Sequence, residues 1–182
     1  MFPIAVLVGL LFGGVDQYLG SIASMPWATS VSLLSAPWLV VPFCFGCTQR
    51  TRSSALIIGL VVTYSALLGY GAMTLSPMEG VHLAQQHDAI RGLLHSERRF
   101  FIGGLLTGPL YGLLGHYWRK RRACLSAALV AGAVCFEPLA ESAVGQLPHQ
   151  SVVWLAEIAV GTAMAVYFAM AFTADRRSHL HA

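Results

Sequence analysis

A succession of long apolar runs, neither alternating nor amphipathic, limits this chain more than any other feature. Six of them, about 3–22, 28–47, 54–75, 100–118, 123–141 and 151–173, reach or approach the ~20 residues that cross roughly 30 Å of hydrocarbon. Segments of this length satisfy their own backbone in lipid only as helices. The expectation is an all-α integral membrane protein, a single transmembrane helical bundle over residues 1–182 with six transmembrane helices. Composition agrees: 56% of the residues are hydrophobic and 10% are charged, where soluble domains carry about 25% charged residues. A soluble domain, a disordered chain and a nucleic-acid-binding protein are all poor fits. The net charge is only +3, and the basic residues punctuate the runs instead of forming a patch. The first run lacks a basic leader, and Asp16 interrupts it where a cleavage motif would end, so it reads as a span and not as a signal peptide.

Every Lys and Arg falls outside the runs. Arg50, Arg52, Arg119, Lys120, Arg121, Arg122, Arg176 and Arg177 share one side, against Arg91, Arg98 and Arg99 in the third loop. The positive-inside rule then places the protein in the cell membrane as a multi-pass protein with both termini cytoplasmic. The third loop, 76–99, mixes Val81, Ala84, Ile90, Leu93 and Leu94 with polar residues and reads as a short interfacial helix. An internal echo runs through the chain. Gly9–Gly20 aligns with Gly104–Gly115 at six of twelve positions, and the same offset lays spans two and three over spans five and six. Three spans separate the copies, so two inverted three-helix repeats are one reading. Chance matching of Gly and Leu is the other.

Four of the eight acidic residues, Asp16, Glu137, Glu141 and Glu157, sit inside apolar runs with no Lys or Arg in any span to pair with them. A charge at mid-bilayer costs about 2.5–3.5 kcal/mol even on a lenient scale. Such groups must be protonated, hydrogen-bonded or facing a wet cavity. With the orientation above, all four lie toward the non-cytoplasmic half. Groups near an interface can instead snorkel to water, an explanation that suits Glu141 better than the other three. Gly9, Gly13, Asp16 and Gly20 share one helix side, so Asp16 is expected to point into the bundle. Trp154, Glu157 and Gly161 form a comparable face, and Phe136 adjoins Glu137 where Pro138 weakens the helix. Trp38, Tyr64, Tyr111 and Phe136 lie near mid-span. Ring faces there can stabilise a cation, although core packing explains any single one.

No acid pair has the close spacing that holds Mg²⁺ on a diphosphate, and no basic cluster clamps phosphate, so no metal or other cofactor is expected. Cys44 and Cys47 are spaced as a redox pair can be, yet lie at the expected cytoplasmic end, where thiols stay reduced. His82, His87 and His95 lack a convincing metal-ligand spacing.

The stretch Leu34-Ser-Ala-Pro-Trp-Leu-Val-Val-Pro-Phe43, following Gly9-Leu-Leu-Phe-Gly-Gly14, resembles a family of small actinobacterial multi-span proteins. Phe136-Glu137 and Ala156-Glu-Ile-Ala-Val-Gly161 resemble it too. These short hydrophobic motifs are spread over most of the chain, and Asp16 lies outside them. Similar small bacterial proteins include the membrane-bound terpene cyclases of meroterpenoid and indole-terpenoid pathways. That resemblance implies a metal-independent, proton-initiated cyclisation, an isomerisation in terpenoid biosynthesis, with carboxylic acids inside the bundle starting the reaction. The substrate it implies is a prenylated lipophilic small molecule entering from the bilayer. Asp16 is then the expected general acid, with Glu137 and Glu157 orienting it or relaying protons. Trp38, Tyr64, Tyr111, Phe136 and Trp154 would line the carbocation cavity. A proton-coupled small-molecule transporter, or a substrate-binding membrane subunit, fits the spans and buried acids equally well.

Overall fold

The computed structural model describes residues 1–22, 24–76, 90–93, 95, 98–143 and 151–180, and of Ser151 and residues 176–180 the backbone alone. The described residues are helical and contain no strand. In chain order the helices are α1 (Phe2–Ser21), α2 (Pro26–Ser32), α3 (Ala36–Cys47), α4 (Arg52–Thr74), α5 (Arg98–Arg121), α6 (Cys124–Ala143) and α7 (Ser151–Leu180). Four stretches are long and apolar enough to cross a membrane: α1, α4, α6 and Val152–Asp175 of α7. The bent pair α2–α3 makes a fifth if it is one span. Helix α5 is 24 residues long, but its glycines, Pro109, His116 and the closing Tyr117-Trp118 dilute its apolar character. The loop over 76–99, expected as an interfacial helix, lies mostly outside the described residues, although residues 90–93 are helical.

The expected second span is not one straight helix. α2 and α3 meet at 52° across Leu33–Ser35. Pro37, at the start of α3, has no N–H to give, and its ring crowds the carbonyl four residues back, so an unbroken helix through Leu33 is disfavoured. At the opposite end of the bundle, the Thr51 hydroxyl accepts from the Ser54 backbone N–H at 3.2 Å and caps α4. Arg122 closes α5 in the left-handed region (φ 46°), which turns the chain at once into α6.

α4 is the central helix, flanked by α1 and α5. The buried stripe Ala5, Gly9 and Gly13 of α1 lies on it, Gly9 against Val62 and Ser65, Gly13 against Ala66 and Tyr70, so the two helices run parallel. Across α4, Gly104, Gly108 and Gly112 of α5 meet Thr63, Gly59 and Ala55 in the opposite order, so α5 is antiparallel to it. An added Cβ at Gly13 would overlap the Ala66 carbonyl, and one at Gly112 the Ala55 carbonyl. Small residues are what allow backbones this close. The sequence echo thus has a packing explanation: both glycine stripes clasp α4. A duplicated three-helix unit would also seat α7 along α5 as α4 lies along α1, and among the described residues α5 and α7 have no comparable packing. A second core joins α3, α5, α6 and α7, where Phe43, Trp118, Val130, Ala131 and Phe168 are buried together and the Trp118 and Phe168 rings lie edge to face at 4.7 Å.

Candidate functional site

These helix directions bring the C-terminal ends of α1, α4 and α6 together with the N-terminal ends of α3 and α5. A cavity of about 1060 Å³ opens there, walled by Asp16, Trp38, Thr63, Tyr70, Arg99 and Glu141 among others. Its lining is mostly apolar, and the exposed side chains of Leu33 and Phe100 stand on it. Ligand pockets are generally about 300–1,000 Å³ and apolar with a few convergent polar groups, which describes this one at the large end.

Asp16 comes three residues after Gly13 and continues the α1 face that lies on α4. Its carboxyl is within hydrogen-bonding reach of the Trp38 side chain. Trp38 is the hub of an aromatic cluster: Phe12 meets it edge-on at 5.2 Å, and Tyr70 at 6.4 Å. An acid and two rings, Trp38 and Tyr70, therefore share the cavity wall, with Phe12 packed on Trp38.

Glu137 is 8% exposed and does something its sequence position does not reveal. Its two carboxyl oxygens accept the backbone N–H groups of Ser35 and Ala36, the latter at 2.5 Å. It thereby caps the start of α3, where no side chain of α3's own provides a cap. The first N–H groups of a helix have no partner inside it, and the helix dipole favours an anion at that end. A break in the middle of an apolar run would leave those groups in hydrocarbon, and Glu137 meets that need from α6. Glu157, on α7, is 6% exposed, and both its carboxyl oxygens are buried with no donor among the described residues. Its carboxyl lies within reach of that of Glu137, with Glu141 close enough to be felt electrostatically. Antiparallel packing of α6 and α7, with Gly161 against Cys135, sets this register.

Of the residues expected around the cavity, Asp16 and Trp38 stand in its wall. Glu137 and Glu157 sit together behind it, joined to it through Ser35, which does line it. Tyr64 is not in the wall, but its hydroxyl donates at 2.9 Å to the carbonyl of Phe101, which is. Tyr111 packs against the Phe43–Trp118 core. Phe136 is 64% exposed on the outside of α6, because adjacent helix positions differ by about 100° and Glu137 takes the inner one. Trp154 is half-buried, with its indole N–H enclosed and unpartnered. Tyr70 and Arg99 are wall residues that sequence reasoning did not select, and Glu141, one of the four acids expected in the apolar runs, stands in the wall as well. Tyr70 carried a signal, since it lies seven residues after Thr63 on one face of α4; Arg99 carried none.

Among the described residues no cluster of three metal-ligating side chains occurs, and the four cysteines are free. No curated protein and no solved structure matches this chain. One family model does match, over residues 2–182, and its description is "Family of unknown function (DUF6518)". Because the match covers nearly the whole sequence, the chain belongs to that family.

Proposed function

We propose that this protein is a membrane-bound terpene cyclase, in which Asp16 protonates an alkene of a prenylated, lipophilic substrate held in the cavity. The observation that carries this reading is the placement of the Asp16 carboxyl in a large, mostly apolar cavity beside the ring cluster of Trp38, Phe12 and Tyr70. Alkene protonation needs a carboxylic acid sheltered from water. The cations that follow need ring faces and no reachable nucleophile. The proton passes from Asp16 to one alkene carbon, the cation formed is attacked by the next double bond, and a carbon–hydrogen bond is finally broken to leave an olefin. The last proton goes to a carboxylate, either Asp16 itself or Glu141, so the net change is an isomerisation. Glu137 serves this scheme by position. It fixes the start of α3, and so the place of Trp38, three residues after Ser35.

The same proposal takes α5 as a sixth span, since residues 100–118 contain no Asp, Glu, Lys or Arg, with both termini cytoplasmic. The substrate then arrives through the lipid, past Leu33 and Phe100. A proton-coupled transporter is the second reading, favoured by the α2–α3 break at the cavity, because broken spans mark many transporter sites. The two part on turnover. Membranes containing this chain and given a farnesylated indole should yield a product of unchanged mass and altered retention. Accumulation of unaltered substrate driven by a proton gradient would support the transporter instead.

A further inference from the structure

We propose that the buried pair Glu137–Glu157 binds one proton, carried by Glu157, and that this proton holds Glu137 in place as the cap of α3. The inference concerns the resting protein and does not depend on what the cavity binds.

Hydrogen-bond valence carries it. Glu137 accepts from two backbone N–H groups, one on each oxygen, at the positive end of a helix dipole, so it serves as the acceptor-only, ionised partner. Glu157 has both oxygens enclosed and, among the described residues, nothing donating to either. As an ion it would face a second carboxylate with no hydrogen bond at all, the most costly state for a buried charge. One proton on Glu157 changes this. Its O–H donates to a remaining lone pair of Glu137, since each carboxylate oxygen has two. Among the described residues, neighbouring groups offer no other source for the missing donor. From α6 the charged groups facing Glu157 are Glu137 and Glu141, both acids. α2, which also touches α7, carries no titratable side chain. The Trp154 indole N–H, one turn earlier on α7, is itself buried without a partner and so does not reach Glu157. The proton therefore ties α7 through α6 to the break that shapes the cavity wall, and Glu157 is a positioning residue.

The test uses the full chain in lipid nanodiscs, without substrate, as wild type, Glu157→Gln and Glu157→Ala. Infrared spectra in H₂O and D₂O should show a protonated-carboxyl C=O band in the wild type, with one carboxyl's share of its intensity lost in Glu157→Gln. That variant should melt at the wild-type temperature, because the amide N–H₂ donates to Glu137 in place of the O–H. Glu157→Ala should melt earlier. An unchanged band in Glu157→Gln, or early melting of Glu157→Gln matching that of Glu157→Ala, overturns the proposal. If Glu157→Ala does not fold, the wild-type and Glu157→Gln spectra decide alone. A failed cyclisation assay leaves these spectra untouched, so the two readings fail separately.

Discussion

Asp16 and Glu137 are each a carboxyl in an apolar run, and they differ in what their oxygens touch. Asp16 faces a cavity and an indole, whereas Glu137 is bound on both oxygens to backbone N–H groups. Replacing Glu137 with Ala uncovers two N–H groups at a helix start and should destabilise the protein by about 2 kcal/mol, in the range for lost caps and charged hydrogen bonds. Thermal or denaturant unfolding in detergent would check it, and a loss below a few tenths would contradict the cap. Trp38→Phe keeps a ring beside Asp16 but removes the N–H within its reach. It should leave unfolding unchanged and slow turnover roughly tenfold, the equivalent of one hydrogen bond. Single-turnover rates would show this. The acids themselves were legible in the sequence, because a charge in a run of lipid-facing residues is costly and conspicuous. Their division of labour was not: the Glu137 oxygens bind backbone groups 101 and 102 positions away, and no local pattern encodes a partner that distant.

Helix limits were readable because apolar length and polar interruption set them together. The expected runs at 3–22, 54–75 and 123–141 coincide closely with Phe2–Ser21, Arg52–Thr74 and Cys124–Ala143. The α2–α3 bend was not foreseen, although Pro37 lies in plain view, since an apolar run containing proline can kink, break or pass straight depending on what caps the freed backbone groups. Here Glu137 does. The glycine stripes were visible as spacing, but their shared target was not, because two sequences that each pack tightly on α4 look like a duplication. Their contacts predict a sharp contrast. Gly112→Val forces a side chain into the Ala55 carbonyl and Gly59, backbone that cannot yield, and should destabilise by about 3 kcal/mol or prevent folding, as severe overpacking does. Gly132→Ala meets nothing nearer than the Phe136 ring at 3.9 Å and should be neutral or stabilising by up to about 1 kcal/mol, from helix propensity. Comparable melting shifts for both variants would contradict the close approach of α4 and α5.

At the scale of the whole molecule, the two ends of the bundle differ in kind. One gathers Arg52, Arg119, Lys120, Arg121 and Arg122, with Arg52 and Arg122 lying over the rings of Tyr117 and Trp118 at 5.3 Å each. The other gathers Asp16, Glu137, Glu141 and Glu157 around the cavity, with Arg98 and Arg99 the basic residues of α5 at that end. This polarity predicts that reporters fused to either terminus will be active only where cytoplasmic folding is required, with the acidic end on the far side. Activity of a periplasm-dependent reporter at both termini would invert the assignment. The central claim, that Asp16 starts a cyclisation, is met most directly by isotope. Membranes containing the wild-type chain, given a farnesylated indole in D₂O, should form an isomer carrying about one carbon-bound deuteron from the initiating acid, and Asp16→Asn should form none. A deuterated isomer that persists in Asp16→Asn, or no isomer from the wild type with any prenylated substrate, would contradict it.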